Sequence, residues 1–186
     1  MPIGRDIVSR VARRYLSSKE AKTKLRVFDF DETLAISNGS VSVLKPPPPT
    51  PGEKITIDSA TFAHFKPEPG DKLDFSAFND VINPRIIKKN WDDFVKATND
   101  PDAKVVILTA RPKGSASSVS KFLESEGVKD VEVVALQSSD PYDKARWIDK
   151  TIEDGKYEDI EFVDDSIKNA RAVAEHGEAH RKKGLK

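Results

Sequence analysis

The chain of 186 residues contains no cysteine. That removes disulfides, zinc–thiolate sites and thiol nucleophiles, and it fits a reducing cytoplasm. Net charge is also missing, because 31 Lys and Arg balance 31 Asp and Glu. No overall field draws the protein to nucleic acid or to an anionic membrane, so any such affinity must come from a local patch. No apolar run approaches the ~20 residues of a membrane-spanning helix, and no signal-peptide core is expected. His64, His176 and His180 have no metal-ligand partners at useful spacing and read as surface residues. The length is most simply one domain with a core of real size.

What is there begins at residues 25–35, Leu-Arg-Val-Phe-Asp-Phe-Asp-Glu-Thr-Leu-Ala. A short apolar strand ends in Asp29, Asp31 and Thr33. Carboxylates one residue apart at a strand end point from the same face towards one spot. Taken alone, such a run reads equally well as a solvated acidic strand end. Like charges that close are most simply reconciled by a cation, and carboxylate plus carbonyl oxygen is the ligand chemistry of Mg²⁺.

Residues 4–24 are basic, opposed only by Asp6 and Glu20, and Ile7, Val8, Val11, Ala12, Tyr15 and Leu16 recur at helical spacing. This predicts an amphipathic N-terminal helix over 1–24. It could pack on the domain, serve as a mitochondrial presequence, or act as an arm that docks a partner protein or a polyanion. Residues 25–186 form the main domain, with an insertion at 36–80. Within the insertion, alternation at 40–44 and 54–61 predicts two strands joined by the proline-rich stretch 46–52, a β-hairpin with a stiff tip. Such a tip could also be a ligand for a proline-reading domain. Phe62, Phe65, Phe75 and Phe78 follow in a loop.

From residue 84 the element types alternate: helix 84–98 with Pro84 in its first turn, strand 104–108, helix 115–126 closed by Gly127, strand 131–135, helix 143–153, strand 160–163 and helix 167–175 capped by Ser166 or Asp165. A basic tail, 176–186, reads as a solvated end. This alternation predicts an α/β fold, a Rossmann-like three-layer α/β/α sandwich with a central parallel sheet and a small β-hairpin flap. Ligands of such folds bind beyond the carboxyl ends of the strands.

Three of those ends carry polar residues: Asp29 and Asp31, then Thr109, then Asp164 and Asp165. In this order, over residues 25–173, they resemble the motifs of the haloacid dehalogenase superfamily, most of whose members are phosphatases. The resemblance implies that Asp29 is a nucleophile forming an aspartyl-phosphate, and that Asp31 is general acid and then base. Mg²⁺ would lie on the carboxylates of Asp29 and Asp164 and the main-chain carbonyl of Asp31. Thr109 would hold a phosphoryl oxygen, with Ala110 beside it and Thr33 also on the substrate side. Read without the family, Thr109 simply caps the next turn. Arg111 is expected at the crevice rim, where its guanidinium could recognise a phosphate or carboxylate.

The family's charge-neutralising lysine is assigned to Lys144 at the start of a helix, with Arg146 and Lys121 as fallbacks; an ordinary surface lysine is the competing reading. Asp165 would act through water or orient Lys144, or cap the helix, and Asn169 lies on the same helix face. The resemblance thus implies a Mg²⁺-dependent phosphomonoesterase, similar to small bacteriophage phosphatases and to the phosphatase half of polynucleotide end-repair enzymes, and the lack of cysteine makes a cytoplasmic location the expectation, or a mitochondrial one if residues 1–24 are a presequence. The small insertion suggests an open site for nucleotides or nucleic-acid ends, with phosphoproteins or lipid head groups also admissible. A non-catalytic scaffold on the same fold and a phosphotransferase remain as alternatives.

Overall fold

A computed structural model describes residues 22–46, 53–62, 65–154 and 157–182. Residues 1–21 of the expected N-terminal helix and most of the proline-rich tip lie outside the described residues, and Lys24, expected to end that helix, instead opens the first strand by pairing with Ala103 and Asp159. In chain order the elements are β1 (Lys24–Phe28), β2 (Ala35–Ile36), β3 (Ser40–Leu44), β4 (Lys54–Asp58), α1 (Ser59–Phe62), β5 (Lys72–Asp74), β6 (Arg85–Ile86), α2 (Lys88–Thr98) and β7 (Ala103–Thr109). They are followed by α3 (Ala116–Ser125), β8 (Glu132–Ala135), α4 (Pro141–Asp154), β9 (Asp159–Val163) and α5 (Ile167–Lys182).

The predicted α/β architecture is present. β8, β7, β1 and β9 form a parallel sheet in that order. Because side chains alternate along a strand, β1 and β7 feed both faces, which is why residues 27–28 and 105–108 are apolar without a break, while Arg26 and Lys104 pair with Asp159 and Glu132. Leu25, Val27, Val106 and Leu108 pack with Ile148 of α4 and Val173 of α5. Phe28 and Ile107 turn the other way onto Trp91 and Phe94 of α2 and onto Phe122 and Leu123 of α3. Phe28 meets Phe94 edge-on at 5.4 Å, and Trp91 lies 5.7 Å from Phe122. Each such side chain taken from water stabilises the fold by about 1.5–3 kcal/mol.

Strand order reverses at β1, whose neighbours are β7 on one side and β9 on the other. The Asp29 N–H still donates to Val163 O at 2.9 Å. The chain leaving β1 and the chain leaving β9 therefore emerge side by side at the switch point, where a ligand crevice forms.

The insertion is a second, antiparallel sheet, ordered β4-β3-β5. The expected hairpin pairs Ser40 with Asp58 through to Leu44 with Lys54. Residues 59–62, however, form α1 instead of extending the strand, with Asp58 Oδ1 accepting the Thr61 N–H at 2.7 Å. Helix α2 begins at Lys88 rather than near Pro84, because Arg85 and Ile86 pair with Ile36 and Ala35. Ile87 is extended and donates its N–H to Leu34 O. The last helix runs past Glu175 to Lys182, taking in the start of what reads as a tail. Among the described residues, no helix is long and apolar enough to cross a membrane.

Candidate functional site

The loop after β1 is held by its own backbone. Phe30 O accepts N–H bonds from Leu34 and Ala35, and the Glu32 N–H returns to Ala35 O at 3.0 Å. This tight wrap puts Glu32 at φ +55°, a left-handed conformation that costs a non-glycine residue on the order of 1 kcal/mol and recurs at functional sites. Phe30, fully buried, packs on Phe122 at 5.7 Å.

Asp29 meets Lys144, the fourth residue of α4, whose Nζ donates to Asp29 Oδ1 at 2.7 Å and to Asp164 Oδ2 at 2.6 Å. Helix α4 is started by Asp140, whose Oδ1 accepts the Tyr142 N–H at 3.0 Å, with Pro141 in the first turn. Asp164 is steadied by the Ser166 N–H at 2.8 Å and by Asn169 Nδ2 at 3.0 Å to each oxygen. Thr33 Oγ1 accepts the Asp165 N–H at 3.0 Å, faces Asp165 Oδ1 at 3.3 Å and lies 3.4 Å from Asp29 Oδ2.

Oxygens of Asp29, Asp164 and Asp165 all fall within 4.8 Å of one another. Three carboxylates against one ammonium leave a negative surplus that runs from buried Asp29 through half-buried Asp164 to exposed Asp165. Asp29 shows the strain: burial, helped by the Asp164 charge and opposed by Lys144, pushes its pKa up to about 7. Burial also raises Asp165, with Asp164 adding to it. For Lys144, burial disfavours the charge, but the attraction of Asp29 and Asp164 outweighs it and the pKa rises. An all-oxygen anionic set suits a hard cation, so these carboxylates could hold a metal ion.

Asp31 stands apart from that cluster. Arg111 Nε donates to its Oδ2 at 2.7 Å and Nη2 to its Oδ1 at 2.8 Å. The guanidinium is buried, 1% exposed, whereas its sequence position suggested the crevice rim. The physical reason is a ready-made set of acceptors in the Asp31 carboxylate, Ser37 Oγ and the main-chain oxygens of Phe78 and Asp80. Thr109 is buried, and its Oγ1 accepts the Arg111 N–H at 3.3 Å, the turn-capping geometry. Ala110 is exposed between them. Of the fallback cations, Arg146 pairs with Asp143 and Asp140 on the surface, and Lys121 is exposed on α3. His176 is partly buried and contacts Asp149.

The structure also recruits residues that no local pattern marked. Ser37 Oγ donates to Asp31 Oδ1 at 3.1 Å, and Asn90 Nδ2 holds Thr33 O at 2.9 Å. A cavity of about 340 Å³ opens beside the loop, between Glu32, Ser37 and Asp58. No protein-family model, curated protein or solved structure matches the chain significantly.

Proposed function

We propose that this chain is a Mg²⁺-dependent phosphomonoesterase of the haloacid dehalogenase type. The observation that carries the reading is the gathering of Asp29, Asp164 and Asp165 around Lys144 at the switch point of a parallel sheet. The buried core of this cluster, Lys144 with Asp29 and Asp164, stabilises a fold poorly compared with apolar packing, so its place at the ligand end speaks for chemistry.

In this reading Asp29 attacks the phosphorus in line. Its oxygen gains the P–O bond as the ester oxygen departs, leaving an aspartyl-phosphate. Lys144 orients the nucleophile and balances the charge gathering on the phosphoryl group. Asp31 gives a proton to the departing oxygen, then takes one from the water that hydrolyses the intermediate. The end of β7, Thr109 and Ala110, faces the phosphoryl oxygens. Thr33, bonded between Asp29 and Asp165, fits better as a support for those carboxylates than as a substrate contact. Mg²⁺, held by Asp29 and Asp164 with Asp165 or the Asp31 carbonyl, would supply the positive charge that lets an anion approach a phosphate.

The insertion is a three-stranded sheet, modest cover that favours phosphates carried on larger bodies, such as nucleotides or nucleic-acid ends. The test is phosphate release from 3′- and 5′-phosphorylated oligonucleotides and a generic aryl phosphate, with and without Mg²⁺, beside Asp29→Asn. Metal-dependent release that Asp29→Asn abolishes supports the reading. Release that survives in Asp29→Asn sinks it.

A further inference from the structure

Arg111 uses every N–H of its guanidinium, five in all. Nε and one Nη2 bond reach Asp31, and the other Nη2 bond reaches Ser37 Oγ at 2.6 Å. Nη1 donates to the main-chain oxygens of Phe78 and Asp80, both at 3.0 Å. The plane lies 5.0 Å from the Phe30 ring centre and 5.6 Å from that of Phe78. A cation so enclosed cannot greet a phosphate without breaking bonds it already makes. Its contacts instead join two parts of the molecule. Asp31 belongs to the loop after β1, while Ser37 follows β2 at the start of the insertion and Phe78 and Asp80 belong to the segment by which the insertion returns to the main sheet.

We infer that Arg111 is a positioning residue: it fixes the Asp31 carboxylate for proton transfer and makes that placement depend on the return segment of the insertion. The role rests on the phosphomonoesterase reading above. The planar fork is what matters, since only a guanidinium can grip both carboxylate oxygens and two carbonyls at once. Ser37 completes the clamp by bonding Asp31 and Arg111 together.

Full-length wild type, Arg111→Lys, Arg111→Gln, Asp31→Asn and the double variant Asp31→Asn/Arg111→Gln are assayed with Mg²⁺ on glycerol phosphate and on 2,4-dinitrophenyl phosphate. The first leaving oxygen needs a proton and the second does not. Arg111→Gln should lower kcat on glycerol phosphate about 100-fold, the weight of a general acid, with KM within about threefold. Loss on the dinitrophenyl ester should stay below about fivefold. Arg111→Lys should resemble Arg111→Gln, because it keeps the charge and loses the fork. In the Asp31→Asn background, Arg111→Gln should add no further loss.

Three results overturn the role: a raised KM with kcat preserved, which marks a substrate contact; equal losses on both esters, which mark general damage; or additive losses in the double variant. Calorimetric Mg²⁺ titration of Arg111→Gln guards against misfolding, since affinity lost with the substitution also contradicts a role confined to Asp31. Wild type that releases no phosphate from either ester or from the 3′- and 5′-phosphorylated oligonucleotides brings down the phosphomonoesterase reading itself, and this role with it. Active wild type with unaffected Arg111 variants brings down this role alone.

Discussion

Lys144 is the cation on which the buried carboxylates of this site depend. Its side chain is 4% exposed and binds Asp29 and Asp164 together. Removing one partner of a buried ion cluster leaves the others uncompensated, so Lys144→Met should destabilise the metal-free protein by about 3 kcal/mol. Urea denaturation at pH 8 measures this, and an unchanged midpoint would contradict it. Asp29 behaves in the opposite sense. Its folded pKa of about 7 exceeds the ordinary 3.8, so its contribution to stability is present below pH 3.8 and lost as pH rises through 7. Without metal, wild type should lose stability relative to Asp29→Asn over that interval, and a gap that stays flat with pH would be the contrary result. Mg²⁺ needs the charged carboxylate, so its affinity should rise with pH up to about 7 as binding releases a proton. The meeting of Asp29 and Asp164 was legible in the chain, since both follow apolar strand runs in an alternating α/β pattern. The placement of Arg111 was not, because its acceptors come from Ser37, Phe78 and Asp80, far away in sequence.

At the scale of elements, the insertion is locked to the site by a close approach. A Cβ at Gly39 would lie 2.5 Å from Phe78 Cε1, and the Phe78 ring covers Arg111. Gly39→Ala should therefore push the ring aside, costing about 1–3 kcal/mol by overpacking. If Arg111 positions Asp31, the same change should also slow turnover of alkyl phosphates. Thermal melts and the ester pair above check both effects, and a variant with wild-type stability would show that the ring has room to move. Long periodic elements were readable because burial on one or both faces imposes a period. Short ones were not. β6 is two residues set by pairing with β2, and β5 is three residues paired with β3, so neither carries a pattern of its own. The same pairing delays α2 until Lys88, which a favourable Pro84 could not reveal.

For the whole molecule, the parallel sheet fixes where chemistry can occur, and the acidic cluster fixes its cost. A ligand bound only by the folded state at 100 times its Kd adds about 2.7 kcal/mol. For a chain of this length that is about 5–10 °C in Tm. Mg²⁺ should produce a rise of this kind in wild type and not in Asp29→Asn. The overall α/β order was legible because each strand and helix repeats one hydrophobic rule. The insertion's links to the loop after β1 were not, since they run through Arg111 to the main-chain oxygens of Phe78 and Asp80, which carry no sequence signature.

The most direct measurement is to quench wild type during turnover of a phosphomonoester with Mg²⁺, reduce with borohydride, and locate the modified residue by peptide mass spectrometry. Borohydride converts an acyl phosphate to an alcohol, so homoserine at position 29 is the expected product, absent without substrate. Phosphate release with Asp29 recovered intact at every quench time would contradict nucleophilic attack by this residue.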